Sequence, residues 1–256
     1  MILIAGDSWG CGAWGQDPVT GDPVVYHRGL EQYLHNDGHK VTNISYPGGS
    51  NESTVEQLER YLYGYTQSPP LWYNDPILQI FVFQTEWWRG KSDFRPGQGK
   101  QLVLRPEIVE WFELNEIYDD QKIISHYYNN LSHISQKYHI PIWIIGGCVD
   151  TIWLDQFEDE YSGLHIACQS FTNLLVNDNH RVENVTFTWK MPVEYLVNAK
   201  QKNNAELIEY VLNMSDLADQ RCDTFTLNKD WFPDNGHASH LGHKKLFDYL
   251  KTQGII

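Results

Sequence analysis

The residues MILIAGDSWG, positions 1–10, set the reading of the whole chain. An apolar run, Ile2-Leu3-Ile4-Ala5, passes directly into Gly6-Asp7-Ser8. The pattern predicts a short buried strand at 2–5 that ends in a tight turn bearing an exposed hydroxyl. Two uses of that turn are open. Asp7 or Ser8 caps the helix that follows, as Asp and Ser do at many strand-to-helix turns. Alternatively, Ser8 is a nucleophile at the carboxyl edge of a sheet, where open α/β proteins keep their ligand sites.

Beyond this turn, short apolar runs alternate with helical periodicity. Leu30, Tyr33 and Leu34 fall on one face of a helix that Asn36-Asp37-Gly38 stops. Val41 to Ser45 reads as a second strand leading into Pro47-Gly48-Gly49. Ser50 or Asn51 can then cap a helix whose Val55, Leu58, Leu62 and Tyr65 recur at helical spacing. Pro69-Pro70 marks a loop. Ile77 to Phe83 has the composition of a parallel strand buried on both faces. A helix from about Gln121 to Tyr138 carries Ile124, Tyr127, Leu131 and Ile134, and IPIWIIGG at 140–147 is another buried strand. This alternation predicts an α/β protein with a parallel sheet. We expect one domain over 1–256, with long aromatic-rich insertions near 85–118 and 147–200 of the kind that lie over or beside a site.

Composition narrows the function classes. At 256 residues, 41% hydrophobic and 20% charged, the chain reads as an ordinary soluble globular protein with a full core. A formal net charge of −14 argues against broad attraction to nucleic acid or to an anionic membrane. Arg89, Lys91, Arg95, Lys100 and Arg105 cluster, which a solvated loop explains as well as a binding surface does. There is no run of about 18 apolar residues, and the first residues lack the basic and long apolar regions of a signal peptide. A cytoplasmic location is therefore expected. Cys11, Cys148, Cys168 and Cys222 form no C-x-x-C pair, which argues against a structural zinc site.

Near the other end stands WFPDNGHASHLGHKKLFDYL, residues 231–250, where Asp234 and His237 precede a helix containing Leu246, Phe247 and Leu250. A serine nucleophile needs an imidazole to take its proton, and the imidazole needs a carboxylate to fix its tautomer. A D-x-x-H turn can supply both, although a loop Asp at this spacing also serves simply as a cap. Between the two ends, NISYPGGSN at 43–51 places two glycines after the second strand. Their N–H groups could face a developing oxyanion, or they could merely form a tight turn.

Taken together, GDS after the first strand, PGG after the second and DxxH before the last helix resemble the SGNH (GDSL-type) hydrolase family across almost the whole chain. The resemblance implies a three-layer α/β/α sandwich with a central parallel, flavodoxin-like sheet. It implies Ser8 as nucleophile, Asp234 and His237 as its partners, and the Ser8 and Gly48 backbone N–H groups as oxyanion donors. Ser239 and Gly242-His243 fit the family's H-P-S-x-x-G-H run, with Ala238 in place of the proline. The third block departs from the pattern: where the family ends its third strand with an oxyanion asparagine, this chain has Phe83-Gln84-Thr85-Glu86. Thr85, Asn51 or Gln84 then supplies the missing side-chain donor, or the hole rests on backbone alone. The implied activity is acyl transfer from a carboxylic ester, a short acyl such as acetyl on a carbohydrate or similar polar molecule. Neither a metal nor an organic cofactor is implied. The GDSW and PGGSN wording also resembles divergent SGNH-like proteins of bacteriophage genomes.

Two other classes compete with this reading. His237, His240 and His243 beside Asp234 suggest a metal-dependent hydrolase, but positions six apart on a helix differ by about 240° in direction, so all three cannot face one ion. A non-catalytic binding module is the second, in which Trp87, Trp88, Trp111 and Trp153 grip a carbohydrate or protein on the same scaffold.

Overall fold

A computed structural model of the chain describes residues 1–67, 75–85, 120–147, 160–176, 228–233 and 236–256. Its first strand, β1 (Ile2–Gly6), is paired on both edges and buried along its whole length, as a run without a polar face requires. A single helical turn, α1 (Ser8–Cys11), follows. Next comes an antiparallel hairpin of β2 (Ala13–Gln16) and β3 (Pro23–His27) that was not anticipated. Then come α2 (Gly29–Asn36), β4 (Val41–Asn43), α3 (Asn51–Gln67) and β5 (Gln79–Gln84). The remaining described elements are α4 (Asp120–Tyr138), β6 (Ile142–Gly146), β7 (Leu164–Cys168), α5 (Phe171–Val176) and α6 (His240–Thr252).

The sheet runs β4-β1-β5-β6-β7 with every pairing parallel. Counted over the sheet's own strands this is the flavodoxin-like order 2-1-3-4-5. Helices cover both faces. Phe83 of β5 meets Phe171 of α5 and His243 of α6, whereas its neighbour Gln84 accepts a hydrogen bond from Tyr128 of α4. Successive strand residues point to opposite faces, so α5 and α6 lie on one side and α4 on the other. α2 packs against α6, and α3 against α4. The architecture is thus the three-layer α/β/α sandwich expected. Leu58 and Leu62 of α3, Leu131 and Ile134 of α4, and Leu246 and Leu250 of α6 are buried at the predicted helical spacing.

Residues 164–176, inside the stretch 147–200 read as an irregular insertion, contain β7 and α5. β7 lies at the end of the described strand order, where His165 and Ile166 stay half-covered, so its sequence lacks the continuous apolar run of β5. The insertion residues 86–118 with Trp87, Trp88, Trp111 and the basic cluster lie outside the described residues. So do Pro69-Pro70, Cys148, Trp153, Cys222 and Asp234. No helix among the described residues is long and apolar enough to cross a membrane.

The exit from β1 is the tightest point of the fold. Gly6 has φ +140°, and a Cβ there would lie 2.7 Å from the Phe83 carbonyl oxygen and 2.8 Å from Phe83 Cβ. Both neighbours belong to β5 and cannot swing away. Gly6→Ala is expected to destabilise the fold by about 2–3 kcal/mol through combined backbone strain and overlap. Urea denaturation checks this, and an unchanged midpoint would contradict it.

Candidate active site

Asp7, not Ser8, caps α1. Asp7 is fully buried, its Oδ1 accepts the Trp9 N–H at 2.9 Å, and its carbonyl accepts from Gly10 and Cys11. This leaves Ser8 at the first helical position, where its own N–H has no intrahelical acceptor. Its side chain is turned to another segment altogether: Ser8 Oγ lies 2.9 Å from His237 Nε2, across 229 residues of sequence. With the imidazole proton on Nδ1, Nε2 accepts the serine O–H, the arrangement a proton transfer from the hydroxyl needs.

The loop carrying His237 is held at its base. The Ser239 N–H donates to the Trp231 carbonyl at 2.7 Å, and Ser239 Oγ caps α6 by accepting from the Gly242 N–H at 3.3 Å. Phe232 and Ala238 are buried to either side of His237 in sequence. The imidazole then meets two indoles. Trp14 of β2 stacks on it with ring centroids 5.2 Å apart and planes 30° from parallel, and Trp9 stands tilted at 6.4 Å.

The loop after β4 contributes the glycine turn. Gly49 donates its N–H to the Tyr46 carbonyl at 3.2 Å and is spent on the turn itself. Gly48 has φ +74° and open space where a Cβ would stand. At the next step the two cap candidates separate. Ser50 Oγ accepts the Ser53 N–H at 3.1 Å while Ser53 Oγ accepts the Ser50 N–H at 2.7 Å, a reciprocal cap. Asn51 instead bridges to Thr85, the residue after β5. Its Oδ1 accepts the Thr85 N–H at 3.0 Å and its Nδ2 donates to the Thr85 carbonyl at 2.9 Å. Asn51 thus pins the backbone of Thr85, and both residues are buried. Gln84 is also fully buried, with Oε1 accepting the Tyr128 hydroxyl at 2.6 Å. Sequence reasoning weighed Asn51 as cap or oxyanion donor and missed this third role. The signal was Ser53, three residues after Ser50.

Fold and geometry together describe an α/β protein with a serine–histidine pair at the carboxyl edge of its parallel sheet, just beyond β1. No protein-family model matches the chain, and no curated protein matches it. Among solved structures it is similar to the crystal structure of TesA, at 11% identity over 98% of this chain and 96% of that one, with a TM-score of 0.37. It is also similar to the crystal structure of AlinE4, an SGNH-hydrolase family esterase. There the identity is 18% over 80% of this chain and 95% of that one, with a TM-score of 0.38.

The three C-terminal histidines diverge. His237 faces Ser8, His240 packs at the surface against Tyr26 and His27, and His243 is enclosed against Phe83 and Phe171. Among the described residues no three His, Cys, Asp or Glu side chains are placed to hold one metal ion. Of the described cysteines, burial and then the Asp7 charge push the Cys11 thiol up to about 12, and burial pushes Cys168 to about 12. Neither is set up as a thiolate nucleophile at neutral pH.

His243 is 1% exposed, and neither ring nitrogen makes a well-aligned hydrogen bond. Burial above all lowers its pKa to about 3; the nearby Gly12 backbone offsets this in part, and His27 and His237 add to the lowering. Below pH 6.5 the unfolded chain binds a proton at this residue that the folded chain refuses. Stability should therefore fall as the pH drops from 6.5 toward 3, by roughly 1 kcal/mol per pH unit from this group. His243→Leu should flatten that slope in urea titrations at pH 6.5, 5.5 and 4.5. An equal slope in the variant would contradict the assignment.

Proposed function

We propose that the chain is a serine esterase that cleaves a carboxylic ester, with a short acyl group such as acetyl carried by a carbohydrate or similar polar molecule. The 2.9 Å contact of Ser8 Oγ with His237 Nε2, at the end of the buried strand β1, carries the proposal. The choice of acyl group and alcohol rests on the resemblance of the sequence motifs.

In this mechanism Ser8 Oγ attacks the ester carbonyl carbon while His237 Nε2 takes the hydroxyl proton. Negative charge moves onto the carbonyl oxygen. The Ser8 and Gly48 N–H groups are the backbone donors assigned to it, and Thr85 Oγ1 is the assigned side-chain donor. The Asn51 amide is engaged with the Thr85 backbone and Gln84 is held by Tyr128, so these two serve the site by fixing the end of β5. Collapse of the tetrahedral intermediate expels the alcohol, which receives the proton from His237. Water then enters, gives its proton to His237, attacks the acyl carbon and releases the acid with Ser8 restored. Asp234, three residues before His237 in sequence, takes the role of holding the imidazole tautomer.

Ser8→Ala should remain folded by circular dichroism yet lose about 10³-fold or more of the turnover of p-nitrophenyl acetate and acetylated oligosaccharides. His237→Ala should do the same. Turnover by Ser8→Ala equal to the parent protein would overturn the mechanism. Absence of any ester turnover in the parent would favour the binding-module reading.

Thr85→Val, which keeps the shape and removes the hydroxyl, should lower kcat by about 10- to 1000-fold with little change in KM. Asn51→Ala should instead lower the urea midpoint, because it strips partners from two buried backbone groups of Thr85. A Thr85→Val enzyme within about threefold of the parent kcat would leave the oxyanion hole to backbone donors alone.

A further inference from the structure

We infer that Trp14 is a positioning residue for the Ser8–His237 pair; this rests on the esterase reading above. The indole touches both members of the pair through different parts of its ring system. Its Nε1–H donates to the Ser8 carbonyl oxygen at 2.7 Å, and its face stacks on the His237 imidazole at 5.2 Å. One rigid side chain thus fixes the backbone that carries the nucleophile and the plane of the base that must meet it.

The local backbone is built to deliver this contact. Gly12 has φ +129°, and a Cβ there would stand 2.3 Å from the His27 carbonyl oxygen, so the sharp return from α1 into β2 requires glycine. The hairpin register then slips between Ala13 and Trp14: Ala13 pairs with His27 but Trp14 pairs with Val25, leaving Tyr26 as the extra residue of a bulge. Bulges re-aim neighbouring side chains and are frequent beside active sites. Trp14 is 7% exposed, buried beside the pair it contacts.

The chemistry gives such a residue something to do. Proton transfer from Ser8 requires its oxygen and the imidazole nitrogen to stay in line within a few tenths of an ångström, and a misplacement of about 1 Å can cost about 100-fold in rate. An indole face within about 6 Å also attracts the imidazolium that forms as the serine gives up its proton.

The test compares Trp14→Phe, which keeps a stacking ring without the N–H, with Trp14→Leu, which loses both contacts. p-Nitrophenyl acetate is the substrate, assayed well below each variant's unfolding midpoint. The expected result is a graded fall in kcat, about 3- to 10-fold for Phe and about 30- to 100-fold for Leu, with KM within about twofold of the parent. A packing role would lower the unfolding midpoint and leave kcat of the folded enzyme alone. The inference is overturned if Trp14→Leu keeps kcat within about twofold of the parent, or if its loss lies in KM alone. Parent protein without Ser8-dependent turnover would instead overturn the esterase reading, and this inference with it.

Discussion

The approach of Gly6 to Phe83 sets the geometry on which the candidate site depends. β1 is hydrogen-bonded to β4 on one edge and β5 on the other, so its end cannot drift, and the chain must leave it through a backbone conformation that glycine adopts without strain. Because the turn is that tight, Asp7 falls where its carboxylate can cap α1 and Ser8 falls on the first helical residue. Sheet pairing and the missing Cβ thus set where Ser8 leaves β1, and the Trp14 Nε1–H holds its carbonyl at 2.7 Å. His237 then has only to arrive from the far end of the chain, and the Ser239–Trp231 hydrogen bond holds the base of its loop.

The polar groups around this point are buried, and most are held in pairs. Asp7 accepts from the α1 backbone, Asn51 exchanges two hydrogen bonds with Thr85, and Gln84 takes the Tyr128 hydroxyl. Satisfied buried networks keep donors and acceptors in place without reorganisation, which is the condition for stabilising charge as it develops. Among the described residues, Ser45 Oγ and the His243 ring are exceptions. Burial keeps the His243 ring neutral through the physiological range, so the site shares its core with a group that opposes folding in acid.

Much of the fold was legible because β1 and β5 are continuous apolar runs and α3, α4 and α6 repeat their apolar residues at helical spacing. Those signals survive tertiary context. The hairpin was not read, although Val24-Val25-Tyr26 between Gly21-Asp22 and Gly29 has strand composition, because two strands of four and five residues give little periodicity. β7 was hidden for a different reason: its half-covered His165 breaks the apolar pattern that marked the central strands. At the site, Ser8 and His237 could be named from motif resemblance, but no local pattern predicts that residues 229 apart will meet. The role of Asn51 was illegible from its own residue type, since cap and bridge use the same amide; the neighbouring Ser50–Ser53 pair decides between them.

We propose that Ser8 is a nucleophile activated by His237. Incubation with a fluorophosphonate, followed by peptide mapping in a mass spectrometer, tests it most directly, because the reagent bonds only to a hydroxyl made nucleophilic by its surroundings. About one adduct per chain is expected, on the peptide containing Ser8, with loss of labelling in His237→Ala. An adduct on a different serine, or an unlabelled Ser8 in protein that hydrolyses esters, would contradict it.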